Sequence, residues 1–353
     1  MKNQAEAWSL VKDLHRPRPA IFWADLLLSA LAGWGGFGMA LFAGPSSPTM
    51  WLGCAMAVIA LYRGLCFVHE ISHMRRSHLR GFETAWNLLF GVPLLMPSFV
   101  YVGVHSSHHS LATYGTEQDP EYLRFASSHW MAIVFVAHSV LIPFALLLRF
   151  LIFAPAGWLW PRLHRWLMVY ASSLSMNTLY RREYSASLSR SIRRWEAVTL
   201  LFWLTAVTAA GRYGLGWKML AVWCGISACA ALCNALRALG AHRYESTGMP
   251  LDREAQLADS IDTPGAPWTE LWAPVGLRYH ALHHYFPGIP YHNLGTAYRL
   301  LVSTVPSEAA YQAPVSPSLR WSLRLLYRNG RSVQQRERHA KVCAQPPLRS
   351  SGN

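Results

Sequence analysis

Residues 50–73 read MWLGCAMAVIALYRGLCFVHEISH. From Trp51 to Val68 the stretch is apolar apart from Arg63. That approaches the ~20 residues needed to cross a ~30 Å hydrocarbon core. It then runs without a breaker into His69-Glu70-Ile71-Ser72-His73. Positions i and i+4 of a helix share a face, so His69 and His73 stack. A membrane helix ending in two stacked imidazoles delivers nitrogen ligands to the edge of a bilayer.

The rest of the chain repeats the theme. Residues 20–43 form a preceding apolar span, joined to the first by the turn Gly-Pro-Ser-Ser-Pro at 44–48. Residues 197–211 and 217–237 form a second apolar pair around Gly-Arg-Tyr-Gly-Leu-Gly. Asp25 and Arg63 fall near the ends of their spans, where each can reach the interface, Arg63 by snorkelling. The stretches 88–104 and 131–154 are also apolar. The first lies between histidine clusters that must meet on one side. A crossing by the second would carry the arginine-rich 162–194 outward, against the positive-inside tendency. Both therefore read as interfacial or re-entrant.

The expected fold is an all-α integral membrane protein with four transmembrane helices in two hairpins, interfacial or re-entrant helices and a cytoplasmic histidine-rich cap. Residues 1–19 read as a cytoplasmic segment, 20–305 as the membrane domain and 306–353 as a basic cytoplasmic tail. Both termini and the histidines fall on the cytoplasmic side, in a bacterial inner membrane. Composition agrees: 52% of residues are hydrophobic and 14% charged, against about a quarter charged in soluble domains. The net charge of +14 suits anionic lipid or an acidic redox partner. No nucleic-acid module is present. The six cysteines form no CxxC and read as packing residues.

Sixteen histidines are unevenly placed. Besides HEISH there are His105-Ser106-Ser107-His108-His109 and His280-Ala281-Leu282-His283-His284. Each HxxHH is read as aiming three imidazoles at one point. Eight imidazoles exceed what one ion holds, so two metals are expected. Imidazole suits zinc, copper, iron and nickel alike, so ligand type does not choose among them. An intramembrane zinc metalloprotease with Glu70 as general base would explain HEISH, but neither HxxHH. A transporter or metal carrier would want ionisable groups along the spans.

HEISH, HSSHH and HALHH, in this order and separated by apolar hairpins, resemble the three histidine boxes of the membrane fatty acid desaturase family. The strings TYGTEQDPEY, ALRALGAHRYE and GLRYHALHHYFPGIPYHNL agree. The resemblance covers roughly residues 50–305 and is greatest to bacterial members. It implies two non-haem irons, O2 as co-substrate and a long-chain acyl lipid that is desaturated. A hydroxylase of a lipid or carotenoid on the same scaffold is the alternative. Electrons would come from a separate ferredoxin, rubredoxin or cytochrome, since no His-Pro-Gly-Gly haem signature is present. The implied ligands are His69, His73, His105, His108, His109, His280, His283 and His284, with His242 as a ninth. No catalytic residue is expected beyond the metal centre. Acyl-CoA members carry an asparagine four residues before the ninth histidine; here that position is Ala238, and Asn234 lies further back.

Glu70, Asp119, Glu121, Asn234 and Asn293 are candidates for orienting the ligand imidazoles from behind. His292 reads as a capping or headgroup contact. His15, His78, His129, His138, His164 and His339 read as non-ligands. Arg181-Arg182 and Arg193-Arg194 read as contacts to lipid phosphates, with a redox-partner footprint as the sharper alternative.

Overall fold

Prolines open the first hairpin. Pro19 and Pro48 stand at the start of their helices, where a missing N–H costs nothing. Ser47 caps the second by accepting from the Met50 N–H at 3.2 Å. In the computed structural model, which describes residues 2–75, 77–123, 130–246, 248–304, 311 and 313–329, the helices follow in order. They are α1 (Lys2–Val11), α2 (Pro19–Phe42), α3 (Pro48–His73), α4 (Phe82–Trp86), α5 (His105–His108), α6 (Trp130–Ser139), α7 (Ile142–Leu147), α8 (Ala154–Leu159) and α9 (Pro161–Tyr170). Then come α10 (Ala186–Arg212), α11 (Gly216–Ala241), α12 (Arg253–Asp259), α13 (Thr269–Trp272), α14 (His280–Tyr285) and α15 (Tyr291–Thr304). Among the described residues there is no strand, only isolated bridges such as His242 to Ser260. His129, His339 and much of the 306–353 tail lie outside the described residues.

Among the described residues, four helices are long and apolar enough to cross a membrane: Pro19–Phe42, Pro48–His73, Ile142–Leu159 and Gly216–Ala241. The chain is a multi-pass all-α membrane protein. Three of these helices coincide with expected spans. The 197–211 stretch sits in α10, whose first half carries Arg190, Arg193, Arg194 and Glu196. The stretch Ile142–Leu159 overlaps 131–154, read from sequence as interfacial or re-entrant. It runs through α7, a π turn at Leu148–Phe153 and α8. The two segments are linked: Arg149 in the π turn donates to Glu196 of α10 at 2.6 Å, both buried. Pairing neutralises charges that single-segment reading treats as separate penalties.

Pairing also corrects the reading of Arg63. It is not snorkelling but engages Asp25 through two bonds, of 3.0 and 2.5 Å, between α2 and α3. The Tyr291 hydroxyl donates to the same carboxylate at 2.9 Å. Arg182, read as a lipid contact, is buried and clamps the carbonyls of Phe99, Ser172 and Val102. Its neighbour Arg181 lies over the Tyr170 ring.

The 88–104 stretch turns back inside the protein. A π turn at Asn87–Gly91 leads into a reversal at Val92–Leu95, and the chain returns through Ser98–Val100. Carbonyls freed at a reversal need partners wherever water is excluded. Indoles from three helices supply them. Trp34 of α2 donates to Leu89, Trp203 of α10 to Val92 and Trp223 of α11 to Pro93, at 2.7, 3.3 and 3.0 Å. Trp223 lies 18 residues before Ala241, about 27 Å along the helix. The loop therefore reaches far from the histidine end.

The α2–α3 hairpin packs backbone to backbone. A Cβ on Gly53 would stand 2.7 Å from the Ala40 nitrogen and the Gly36 oxygen, whereas one on Gly35 meets nothing within 4 Å. Backbone cannot step aside as a side-chain tip can. Gly53→Val should cost about 1–3 kcal/mol or more by overpacking, lowering the thermal unfolding midpoint in detergent. Gly35→Val should leave it unchanged.

Candidate metal centre

Among the described residues, nine histidines converge at one end of the helix bundle. They fall into two groups: His69, His73, His105, His109 and His283, then His108, His242, His280 and His284. Within each group one ligand nitrogen per residue lies within 4.8 Å of every other. The closest Nε2 pairs are His105–His109 at 2.9 Å, His73–His283 at 3.0 Å, His242–His280 at 2.8 Å and His280–His284 at 3.1 Å. Two nitrogens each about 2.1 Å from one ion and at right angles to one another sit about 3 Å apart. The donor set fits two metal ions.

The HxxHH clusters do not each aim at one point, as local spacing had suggested. His105 and His109 join one group while His108 joins the other. His280 and His284 join one while His283 joins the other. Positions i and i+4 differ by only about 40° around a helix, and adjacent positions by about 100°. Each short helix, α5 and α14, thus serves both groups.

Three elements fix the imidazoles. The first pair rides on the last turn of α3. The second follows the re-entrant loop. It is held by Asp119, fully buried, which takes the His108 Nδ1–H with its oxygens at 2.9 and 3.0 Å. Asp119 also accepts from the Gly115 and Glu121 N–H groups. Gly115 has φ +76°, and a Cβ there would meet Ser246 at 2.8 Å, so the turn needs glycine. Glu121 takes the His105 Nδ1–H at 2.5 Å. The third is anchored by Asp262, which accepts from the Leu282 N–H at 3.2 Å and from the Tyr311 hydroxyl.

At His242 the partner is Tyr114, whose oxygen lies 2.9 Å from Nδ1 and whose hydroxyl donates to Asp259 at 2.9 Å. Protons held on Nδ1 leave the Nε2 lone pairs inward, as metal binding requires. Burial pulls His105, His109, His242, His280, His283 and His284 well below the ordinary imidazole value, and neighbouring histidines add to it. Both causes favour the neutral, lone-pair-donating form. Burial acts the same way at His108, but the adjacent Asp119 carboxylate outweighs it and the net direction is up.

Of the five candidates for orienting ligands, Asp119 and Glu121 hydrogen-bond box histidines, His108 and His105. Glu70 does not hydrogen-bond His69; its nearer oxygen is 3.9 Å from Nδ1. Its carboxylate accepts from the Tyr291 N–H at 3.0 Å and caps α15. A glutamate so engaged, beside a five-histidine group, gives no support to the protease reading. Asn293 donates to the Leu14 carbonyl at 2.7 Å, tying down the N-terminal segment. Asn234 bonds Arg237 rather than any histidine. His292 caps α2 by accepting from the Arg18 N–H at 3.1 Å. His15, His78, His138 and His164 join neither group.

Sequence reading missed Tyr101, Tyr114 and Asp259. Tyr101 stands four residues before His105 and bonds its Nδ1 at 2.9 Å, a spacing that the helical rule could have flagged. Asp259 reaches His242 only through the tertiary fold.

Beside the first group lies a cavity lined by His69, Tyr101, Glu121 and otherwise mostly apolar side chains from α3, α7 and α11. Apolar space against a cluster of metal-ligating nitrogens suits chemistry on a hydrocarbon chain.

Comparison with known proteins agrees with this site. The fatty acid desaturase family model matches residues 45–315. A ceramide hydroxylase of Caulobacter vibrioides (strain NA1000 / CB15N) is 38% identical over 349 residues, 97% of this chain and 96% of that protein. The chain belongs to the fatty acid desaturase family, whose members are lipid-modifying oxidoreductases.

Proposed function

We propose that this protein is a membrane di-iron hydroxylase of a ceramide-type lipid, with the nine histidines as ligands of two irons. The observation that carries this reading is the pair of imidazole groups set against an apolar cavity with His69 in its wall. The family makes the chain a lipid desaturase or hydroxylase. The sequence put desaturation first. The relative's name and its near-complete coverage favour hydroxylation here.

In this reading His69, His73, His105, His109 and His283 hold one iron, and His108, His242, His280 and His284 the other. Two irons so held supply O2 activation. In the overall change a C–H bond becomes C–OH, while O2 takes two electrons and two protons and one water leaves. The chain's own contribution is orientation and exclusion of water. Asp119, Glu121 and Tyr114 fix the imidazole planes. The cavity wall keeps the reacting carbon dry and close. The electrons come from a separate donor, such as a ferredoxin, rubredoxin or cytochrome. The histidine end faces the cytoplasm of a bacterial inner membrane, with both chain termini on that side.

Metal analysis and product mass test this directly. Purified protein should hold about two irons per chain, and His283→Ala and His280→Ala should each lose about one, from different groups. Lipid from cells expressing the wild type under 18O2 should gain one labelled oxygen. A product lacking two hydrogens and carrying no label would show desaturation instead. Both alanine variants should abolish product. Zinc at one per chain, or product formed without His283, would overturn the reading.

Asp119→Asn keeps the volume but removes the charge behind His108. Iron affinity, read as retention against a chelator series, should fall roughly 10- to 100-fold.

A further inference from the structure

α11 carries a cation that the metal centre does not use. Arg237 is 8% exposed and lines the same cavity as His69, Tyr101 and Glu121. It stands five residues before His242, about one and a half helical turns. Much of the surrounding wall is aliphatic, including Leu61, Leu65, Leu146 and Ile226. The cavity volume is about 170 Å³, against ~10–15 Å³ for a single water. It is a binding space, not a packing defect.

A buried arginine ordinarily has a carboxylate partner. Among the described residues Arg237 makes no ion pair. One Nη2 bond at 2.9 Å goes to the Asn234 side-chain oxygen, and Nε has no partner. The carboxylate sharing the cavity wall, Glu121, attracts Arg237 electrostatically but hydrogen-bonds His105 and Tyr101 instead. A guanidinium is a permanently charged fork of donors. Leaving it unsatisfied in an apolar pocket is costly. A bare alkyl chain offers it nothing.

We propose that Arg237, supported by Asn234, is a positioning site for an oxygen acceptor on the lipid substrate: the amide carbonyl or a hydroxyl carried near the reacting carbon. It fixes which carbon faces the histidines. This rests on the lipid hydroxylase reading above and narrows it to substrates whose polar group enters the cavity. A simple fatty acyl chain reacting far from its head would have no use for such a group.

The test uses the full-length protein in lipid nanodiscs. Short-chain ceramide is titrated into wild type, Arg237→Met and Arg237→Lys, and binding is read by isothermal titration. A chain-matched hydrocarbon analogue without amide or hydroxyl groups, and a free fatty acid of the same length, are titrated in parallel. Arg237→Met should weaken ceramide binding roughly 10- to 100-fold, the loss of hydrogen bonds to a charged donor. It should leave the hydrocarbon analogue unchanged, and Arg237→Lys should recover part of the loss. In turnover, wild type should give one positional isomer and Arg237→Met a spread over neighbouring carbons. Equal ceramide affinity in wild type and Arg237→Met overturns the proposal. So does equal loss of ceramide and analogue, or an Arg237-dependent preference for the fatty acid over ceramide. If Arg237→Met fails to fold, wild type alone decides: ceramide must bind more tightly than the analogue. Wild type that binds ceramide through Arg237 yet oxygenates no lipid refutes the function, not the anchor. Wild type that hydroxylates ceramide, with Arg237→Met indifferent, refutes only the anchor.

Discussion

The governing constraint is the convergence of nine imidazoles on two small volumes at one end of a helix bundle. Such a cluster cannot assemble by local preference. Each ring must be turned lone pair inward, and its other nitrogen needs an acceptor that holds the proton outward. Asp119, Glu121 and the Tyr114–Asp259 pair meet that need for His108, His105 and His242, in an interior where unpaired carboxylates would be costly. The fold behind them serves largely to keep these acceptors in place. α3 and α11 both end at the cluster, the re-entrant loop leads into the second box, and the stretch from Asp259 to Asp262 leads into the third.

The two-group partition makes the short helices α5 and α14 bridges rather than separate ligand blocks. Because His108 and His109 point about 100° apart, a rotation of α5 disturbs both groups together. The same holds for His283 and His284 on α14. The centre is thus one mechanical unit, although its histidines come from four distant parts of the chain.

Much of this was legible in the sequence because the boxes obey helical spacing and the spans obey hydropathy. The eight box histidines, the first hairpin and the turn at 44–48 all follow from local pattern. His242 was reached only through family resemblance, since a lone histidine carries no spacing signal. What escaped reading depends on contacts distant in sequence. Arg149 and Glu196 look like separate penalties until the fold pairs them. Glu70 sits inside a ligand motif yet caps a helix that begins 221 residues later. Asn293 follows the third box yet holds the N-terminal segment. Asp259 has no motif at all. Arg237 belongs to a string that carries the resemblance, and only the fold shows that it makes no ion pair among the described residues.

The indole contacts to the reversed loop bear on how the protein is made. Val92 and Pro93 present carbonyls whose donors, Trp203 and Trp223, are encoded 111 and 130 residues downstream. While the ribosome is still extending the chain, those carbonyls have only water or headgroups to bond. Hydrocarbon offers no substitute. The loop must therefore wait at the bilayer surface and be drawn inward after the last hairpin has inserted. Burial of the second box is, on this account, a late event in biogenesis rather than a co-translational one.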